Sequence, residues 1–142
     1  MEKIWANSGD SHFIEPHDLW SKNLPARLAD LMPRSERSED GEYDTVYVDG
    51  QSFTRKLPSS ARAEFFEASN KAEGAADVTK RLVDLDHEGI WGEVIFPSLG
   101  MWNALFRTPE ALREAMRVSN DWAADTIMRE SPRLVPTAQV SM

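Results

Sequence analysis

The sequence predicts an α/β protein built on a parallel sheet, and three observations carry that reading. A short strand candidate opens the chain near Ile4 to Ser8. From Asp77 onward a helix, a strand, a second helix and a further strand follow in order, each helix bearing its own start signal. Strands alternating with helices imply parallel pairing through right-handed crossovers. The length of 142 residues suits one domain with a real core and is short for two. With 41% hydrophobic and 28% charged residues, the composition is that of an ordered globular chain.

The first strand leads into Gly9-Asp10-Ser11-His12, although Asn7 and Ser8 are poor strand formers. Pro16 pushes Glu15 into extended geometry. Asp18 is placed to cap a short helical turn from Trp20 to Asn23. Leu24-Pro25 breaks that turn, and Ala26 to Met32 suits another short helix, stopped by Pro33. Arg34 to Asp44 is mostly charged and aperiodic, so it reads as an exposed connection. Thr45 to Val48, Asp49-Gly50 and Gln51 to Thr54 form a hairpin signal, because Asp-Gly suits a tight turn that needs positive φ. Two strands alone are marginal, so the hairpin is expected to lie against the main body within an insertion of about 34–76. Ala61 to Lys71 has helical composition, with Gly74 placed to end it.

Asp77 is placed as an N-cap, followed by Val78, Leu82 and Leu85 on one helical face. Gly89 stands where a left-handed residue would terminate that helix. Glu93 to Pro97 reads as a buried strand ended by proline, with a loop from Ser98 to Arg107. Thr108-Pro109-Glu110 then marks a helix start, with a cap, a proline at the first position and an acid in the first turn. This helix is expected to run to about Arg129 or Glu130, and Leu134 to Val140 reads as a further strand.

Charge and composition exclude several functions. With 24 acidic against 16 basic side chains the net charge is −8, and no basic face is visible for phosphate neutralisation, so nucleic acid is not an expected partner. The absence of cysteine excludes disulfide scaffolds, thiolate zinc sites and cysteine nucleophiles. The N-terminus lacks the apolar run of a secretory signal. Gly89 to Phe106 carries a single charge, Glu93, but three glycines, Pro97 and Asn103 interrupt it, which suits a buried strand and loop rather than a membrane span. A cytoplasmic protein acting on a small molecule is the expectation.

Three histidines make the search for chemistry short. His12 lies two residues from Asp10, and residues i and i+2 of a strand point to one face. An Asp oxygen with an imidazole nitrogen suits zinc, manganese or iron; by spacing alone, a turn-capping aspartate beside a solvated histidine suits the sequence better. Glu15 reads either as a partner orienting His12 or as an exposed acid. His17 reads as a surface turn residue. His87 reads as a helix-end residue favoured by the helix dipole, and Asp84, Asp86 and Glu88 as a solvated helix face. Neither a serine-nucleophile elbow nor a phosphate-cradling glycine pattern occurs. The apolar loop from Phe96 to Phe106, with Met101, Trp102 and Leu105, is either core or a substrate-facing wall.

Four stretches together resemble the amidohydrolase-related family. This is the branch of the amidohydrolase superfamily that includes aminocarboxymuconate-semialdehyde decarboxylase and resorcylate-type decarboxylases. Asn7 to Trp20, with Asp10-Ser11-His12 and Glu15-Pro16-His17-Asp18, resembles the family's opening. Arg81 to Ile90 looks like its first barrel helix, and Glu93 to Gly100 like its second strand and following loop. Ser119 to Ala123 with Ser131 to Pro136 is similar to its second helix and third strand. The resemblance implies a (β/α)8 TIM-type barrel, present here as its N-terminal strands and helices with an inserted hairpin excursion and ending after the third barrel strand.

It further implies one divalent metal, zinc first and manganese second, with Asp10 and His12 as ligands in an acidic variant of His-x-His. Glu15 and Trp102 are the candidates beside the ligands or the substrate. The implied activity is hydrolysis or non-oxidative decarboxylation of a small carboxylate or amide. Later strands supply the family's remaining histidine and aspartate ligands, so the chain alone is expected to be inactive and to need a homo-oligomer or a complementary chain to complete the barrel. The alternative is a stand-alone α/β binding module without catalysis.

Overall fold

The computed structural model describes residues 4–57 and 72–141. Strand β1 spans Ala6–Phe13, and two short helices follow, α1 at Leu19–Asn23 and α2 at Ala26–Ala29. Strands β2 (Arg34–Arg37), β3 (Tyr43–Val48) and β4 (Gln51–Lys56) come next. After a 3-10 turn at Glu73–Ala75, helix α3 (Val78–Glu88) leads into β5 (Ile90–Pro97). A second 3-10 segment, Gly100–Leu105, precedes helix α4 (Pro109–Ala123), which continues as a π-helical turn at Ala124–Met128 before β6 (Leu134–Pro136).

The main sheet has the order β1-β5-β6, and both pairings are parallel. The expected α/β architecture with a parallel sheet is therefore present. Asp77 caps α3 by accepting the Lys80 N–H at 2.9 Å, and Gly89 ends it at φ 79°, a conformation that costs glycine little. Helices α3 and α4, with the π turn, cover one face of this sheet. Phe13, Leu85, Ile95, Ile127 and Leu134 form the core there. A second core joins α1 and α2 to α4, where Ala111 and Ala115 are small enough for Trp20 to approach and donate its ring N–H to the Ala115 carbonyl at 3.3 Å.

The opposite face of the parallel sheet has no covering layer among the described residues. Phe96 and Val135 lie 37% and 52% exposed on it, and they alternate along their strands with the buried Ile95 and Leu134. Among the described residues no helix is long and apolar enough to cross a membrane.

The second sheet is antiparallel, in the order β2-β3-β4. Its β3–β4 hairpin turns at Asp49-Gly50, with φ of 48° and 72° as expected. The reading of Arg34 to Asp44 as a connection is corrected by β2, whose four residues are all exposed. Backbone pairing with β3 holds this strand, helped by the Arg34 guanidinium 4.5 Å over the Tyr47 ring, so no buried period was present to read. Asp18 does not cap α1 with its side chain; its carboxylate meets Lys22 at 2.5 Å instead. Gly74 sits buried inside a 3-10 turn, and the helix of Ala61 to Lys71 that it is expected to end falls outside the described residues. The last strand is shorter than expected, stopping at Pro136, although the Thr137 N–H still donates to the Ile95 carbonyl at 2.8 Å.

Candidate metal-binding strand end

Asp10 and His12 lie near the C-terminal end of β1, and the ladder there is irregular. Ser8 pairs with Glu93 and Ser11 with Ile95, so β1 advances three residues while β5 advances two. An earlier slip, from Ala6 opposite Ile90 to Asn7 opposite Gly92, runs the other way. The extra residue at Gly9-Asp10 is a bulge, a device that re-aims side chains beside functional sites.

Beyond the bulge, alternation divides the side chains. Ser11 and Phe13 turn toward the helices. Asp10 and His12 reach the open face, where they help line a cleft of about 570 Å³ with Phe96, Met101, Asn103 and Gln139.

The His12 ring is held on two sides. Its Nδ1 lies 3.2 Å from the Pro97 carbonyl oxygen. Because a carbonyl only accepts, Nδ1 is the donor in this bond, and in a neutral imidazole that arrangement leaves the lone pair on Nε2. The ring also packs at a tilt on Phe96, 6.2 Å between centroids. Nε2 then lies 3.9 Å from Asp10 Oδ1, with the two side chains 48% and 88% exposed.

Asp10 Oδ1 and His12 Nε2 are the two donor atoms that the strand end brings together, 3.9 Å apart. Donors at ~2.0–2.2 Å from a tetrahedral zinc stand roughly 3.4 Å apart, which a small rotation of the exposed Asp10 side chain reaches from 3.9 Å. No group of three His, Asp or Glu side chains able to hold an ion occurs among the described residues. His17 and His87 are both exposed and away from the cleft, His87 in the last turn of α3.

Glu15 is neither exposed nor in contact with His12. It is 2% exposed, and its carboxylate faces the start of the second 3-10 segment. Oε1 accepts the N–H groups of Ser98 at 3.1 Å and Gly100 at 3.0 Å; Oε2 accepts that of Leu99 at 2.9 Å. Orphan donors at a helical start are satisfied here by a carboxylate from a distant strand end. Trp102 packs on Phe53 of β4, 5.6 Å between centroids, and is not among the residues lining the cleft.

Behind the strand end, on the helix side, lies a buried ion pair that the sequence reading missed. Arg81 of α3 donates from Nε to Glu93 Oε1 at 2.7 Å and from Nη2 to Oε2 at 3.0 Å. The Ser11 hydroxyl donates to Oε2 at 2.6 Å and accepts from Arg81 Nη2 at 2.9 Å. This network ties β1, β5 and α3 together one residue from both Asp10 and His12. The lone charge in the apolar run from Gly89 to Phe106 was the available signal, because a buried charge requires a partner. Asn103 and Gln139 at the cleft carried no comparable signal.

No family model matches the chain, and no curated protein matches it. Among solved structures it is similar to the crystal structure of an amidohydrolase from Mycobacterium avium subsp. paratuberculosis K-10, with a TM-score of 0.70 and 15% sequence identity. The similarity covers 99% of this chain and 44% of that one, so the chain spans less than half the length of the structure it resembles. At that identity the likeness is one of fold.

Proposed function

We propose that this chain is part of a metal-dependent amidohydrolase-type barrel, in which Asp10 and His12 supply two ligands of one divalent ion, zinc first and manganese second. The observation that carries the reading is the His12 ring. Its Nδ1 is engaged by the Pro97 carbonyl, so Nε2 opens with Asp10 onto a cleft at the C-terminal ends of parallel strands. Strand ends of this kind are where parallel α/β folds place their ligands.

When bound, such an ion would polarise a carbonyl or carboxylate, or lower the pKa of a coordinated water. The residues of this chain position that chemistry. Pro97 fixes the tautomer of His12, Phe96 limits its rotation, and Gln139, whose Oε1 accepts from the Asn103 amide, offers its own N–H2 to a small carboxylate or amide in the cleft. Hydrolysis and the decarboxylation typical of the aminocarboxymuconate-semialdehyde branch both fit these parts. A catalytic zinc site ordinarily takes three protein ligands and an open position. The remaining ligands are therefore assigned to further barrel strands, in a longer chain or a second one, and the 142 residues alone are expected to be inactive.

Isothermal titration of zinc into the chain, beside His12→Ala and Asp10→Ala, tests the assignment. Weak binding that both substitutions abolish supports it. Stoichiometric binding that neither substitution weakens would overturn it. A second reading, a binding module without catalysis, draws on the 88% exposure of Asp10. A folded monomer that binds no metal would favour that alternative.

A further inference from the structure

We infer that Glu15 is a positioning residue for His12, acting through the backbone of Pro97 to Gly100; its relevance to a metal rests on the reading above. The chain of contacts is continuous. Both oxygens of the buried Glu15 carboxylate are used by three successive N–H groups, those of Ser98, Leu99 and Gly100. The Ser98 hydroxyl adds a bond to the Phe13 carbonyl at 3.1 Å, closing the loop against the end of β1. The residue preceding that clamp is Pro97, whose carbonyl takes the Nδ1 proton of His12. A carboxylate three residues beyond His12 thus fixes the loop that fixes its ring.

The geometry requires a carboxylate. A carboxylate is acceptor-only on both oxygens, whereas glutamine has the same shape but replaces one oxygen with an N–H2 donor. In Glu15→Gln that donor faces at least one of the three N–H groups, and the start of the 3-10 segment must shift. The Pro97 carbonyl belongs to the same peptide unit as the Ser98 N–H, the first of the three donors, so it moves with that donor and the Nδ1–H form of His12 loses its partner. The side chain of His12 is itself half-exposed, and its remaining contact, the Phe96 ring, offers the Nδ1 proton no carbonyl in place of the lost one. The Nε2–H tautomer then becomes accessible, and the lone pair leaves the nitrogen that faces Asp10.

The test is made on the metal-free full chain by nitrogen-15 NMR of labelled histidine, at a pH where the ring is neutral. In wild type His12 is expected as the Nδ1–H tautomer, with its two ring-nitrogen resonances well separated. In Glu15→Gln these resonances are expected to move toward each other, while His17 and His87 stay unchanged and the circular dichroism remains that of the folded chain.

A folded Glu15→Gln that keeps the wild-type His12 tautomer overturns the inference. Amide hydrogen exchange in wild type decides the case if that variant does not fold. Slowed exchange at Ser98, Leu99 and Gly100, together with a fixed His12 tautomer, supports the inference, and unprotected amides beside a fixed tautomer refute it. Because no metal is present, the result is independent of the zinc titration. Absent zinc binding with a Glu15-dependent tautomer would remove the metal reading alone.

Discussion

Arg81 and Glu93 meet in a two-point ion pair, Nε to Oε1 at 2.7 Å and Nη2 to Oε2 at 3.0 Å, with the Glu93 side chain 1% exposed. The pair joins α3 to β5 and, through the Ser11 hydroxyl, to the strand that carries Asp10 and His12. Its geometry is that of a guanidinium fork on a carboxylate, the arrangement in which arginine and lysine are least interchangeable.

Removing one partner leaves the other buried and uncompensated. Arg81→Met is expected to destabilise the chain by about 3–5 kcal/mol, because the Glu93 charge then has only Ser11 to satisfy it. The double variant Arg81→Met with Glu93→Leu is expected to recover much of that loss. Urea unfolding of the three proteins measures both effects, and a double variant no more stable than Arg81→Met would contradict the account.

Asp10 and His12 are exposed and contribute little to the core. His12→Ala and Asp10→Ala are expected to leave unfolding free energies within about 0.5 kcal/mol of wild type while reducing zinc affinity at least tenfold. Parallel thermal unfolding and zinc titration separate the two effects. A large loss of stability in either variant would show that the pair holds the fold rather than a ligand.

Asp49 joins the hairpin turn to the start of α4. Burial pushes its carboxyl up, but the N–H groups of Thr108 and Arg107, the Thr108 hydroxyl and the Arg107 charge outweigh that and hold it below the usual 3.8. A depressed folded-state pKa contributes stability above the unfolded value, lost as pH falls through the folded value. Wild type is therefore expected to lose stability progressively below about pH 4. Asp49→Asn keeps a residue that tolerates positive φ in the turn. It should cost about 1 kcal/mol at neutral pH and flatten the acid limb, as read from urea midpoints at several pH values. An unchanged acid limb would show that Asp49 does not couple to folding.

Among the described residues, the uncovered sheet face bears Phe96 and Val135, and the outer edges of β1 and β6 pair with no further strand. Open parallel edges and one bare face are unusual, because parallel sheets are generally covered on both sides. The chain is expected to self-associate with rising concentration, and Val135→Lys to weaken that association without lowering stability. Sedimentation velocity over a concentration series checks this. A monomer at all concentrations would count against a second copy as the covering partner.

The parts of the fold that were legible in the sequence are those whose local chemistry decides the backbone. Asp77 and Gly89 bound a helix through a side-chain cap and a left-handed terminus, and Asp49-Gly50 marks a turn that few other pairs can make. Strand β2 was not legible, because Arg34 to Arg37 bury nothing and are ordered by ladder bonds to β3. The same limit applied at the site. Asp10 and His12 could be placed on one strand from their spacing. The partners that orient His12 and receive Glu15 are backbone groups of Pro97, Ser98, Leu99 and Gly100, and a main-chain donor or acceptor leaves no residue-type signature.

The paired irregularities in the β1–β5 ladder also bear on sequence length. Between Ala6 and Ser11 the first strand advances five residues, and between their partners Ile90 and Ile95 the second advances five as well. The surplus at Gly9-Asp10 and the surplus near Trp91 therefore cancel, and the two strands reach the cleft on the same count. Insertions and deletions upstream of the cleft are consequently coupled across the sheet. A residue gained or lost in one strand must be matched in the other, or absorbed at the outer ends near Trp5 and Gly89, if Asp10 and His12 are to keep their place beside Phe96.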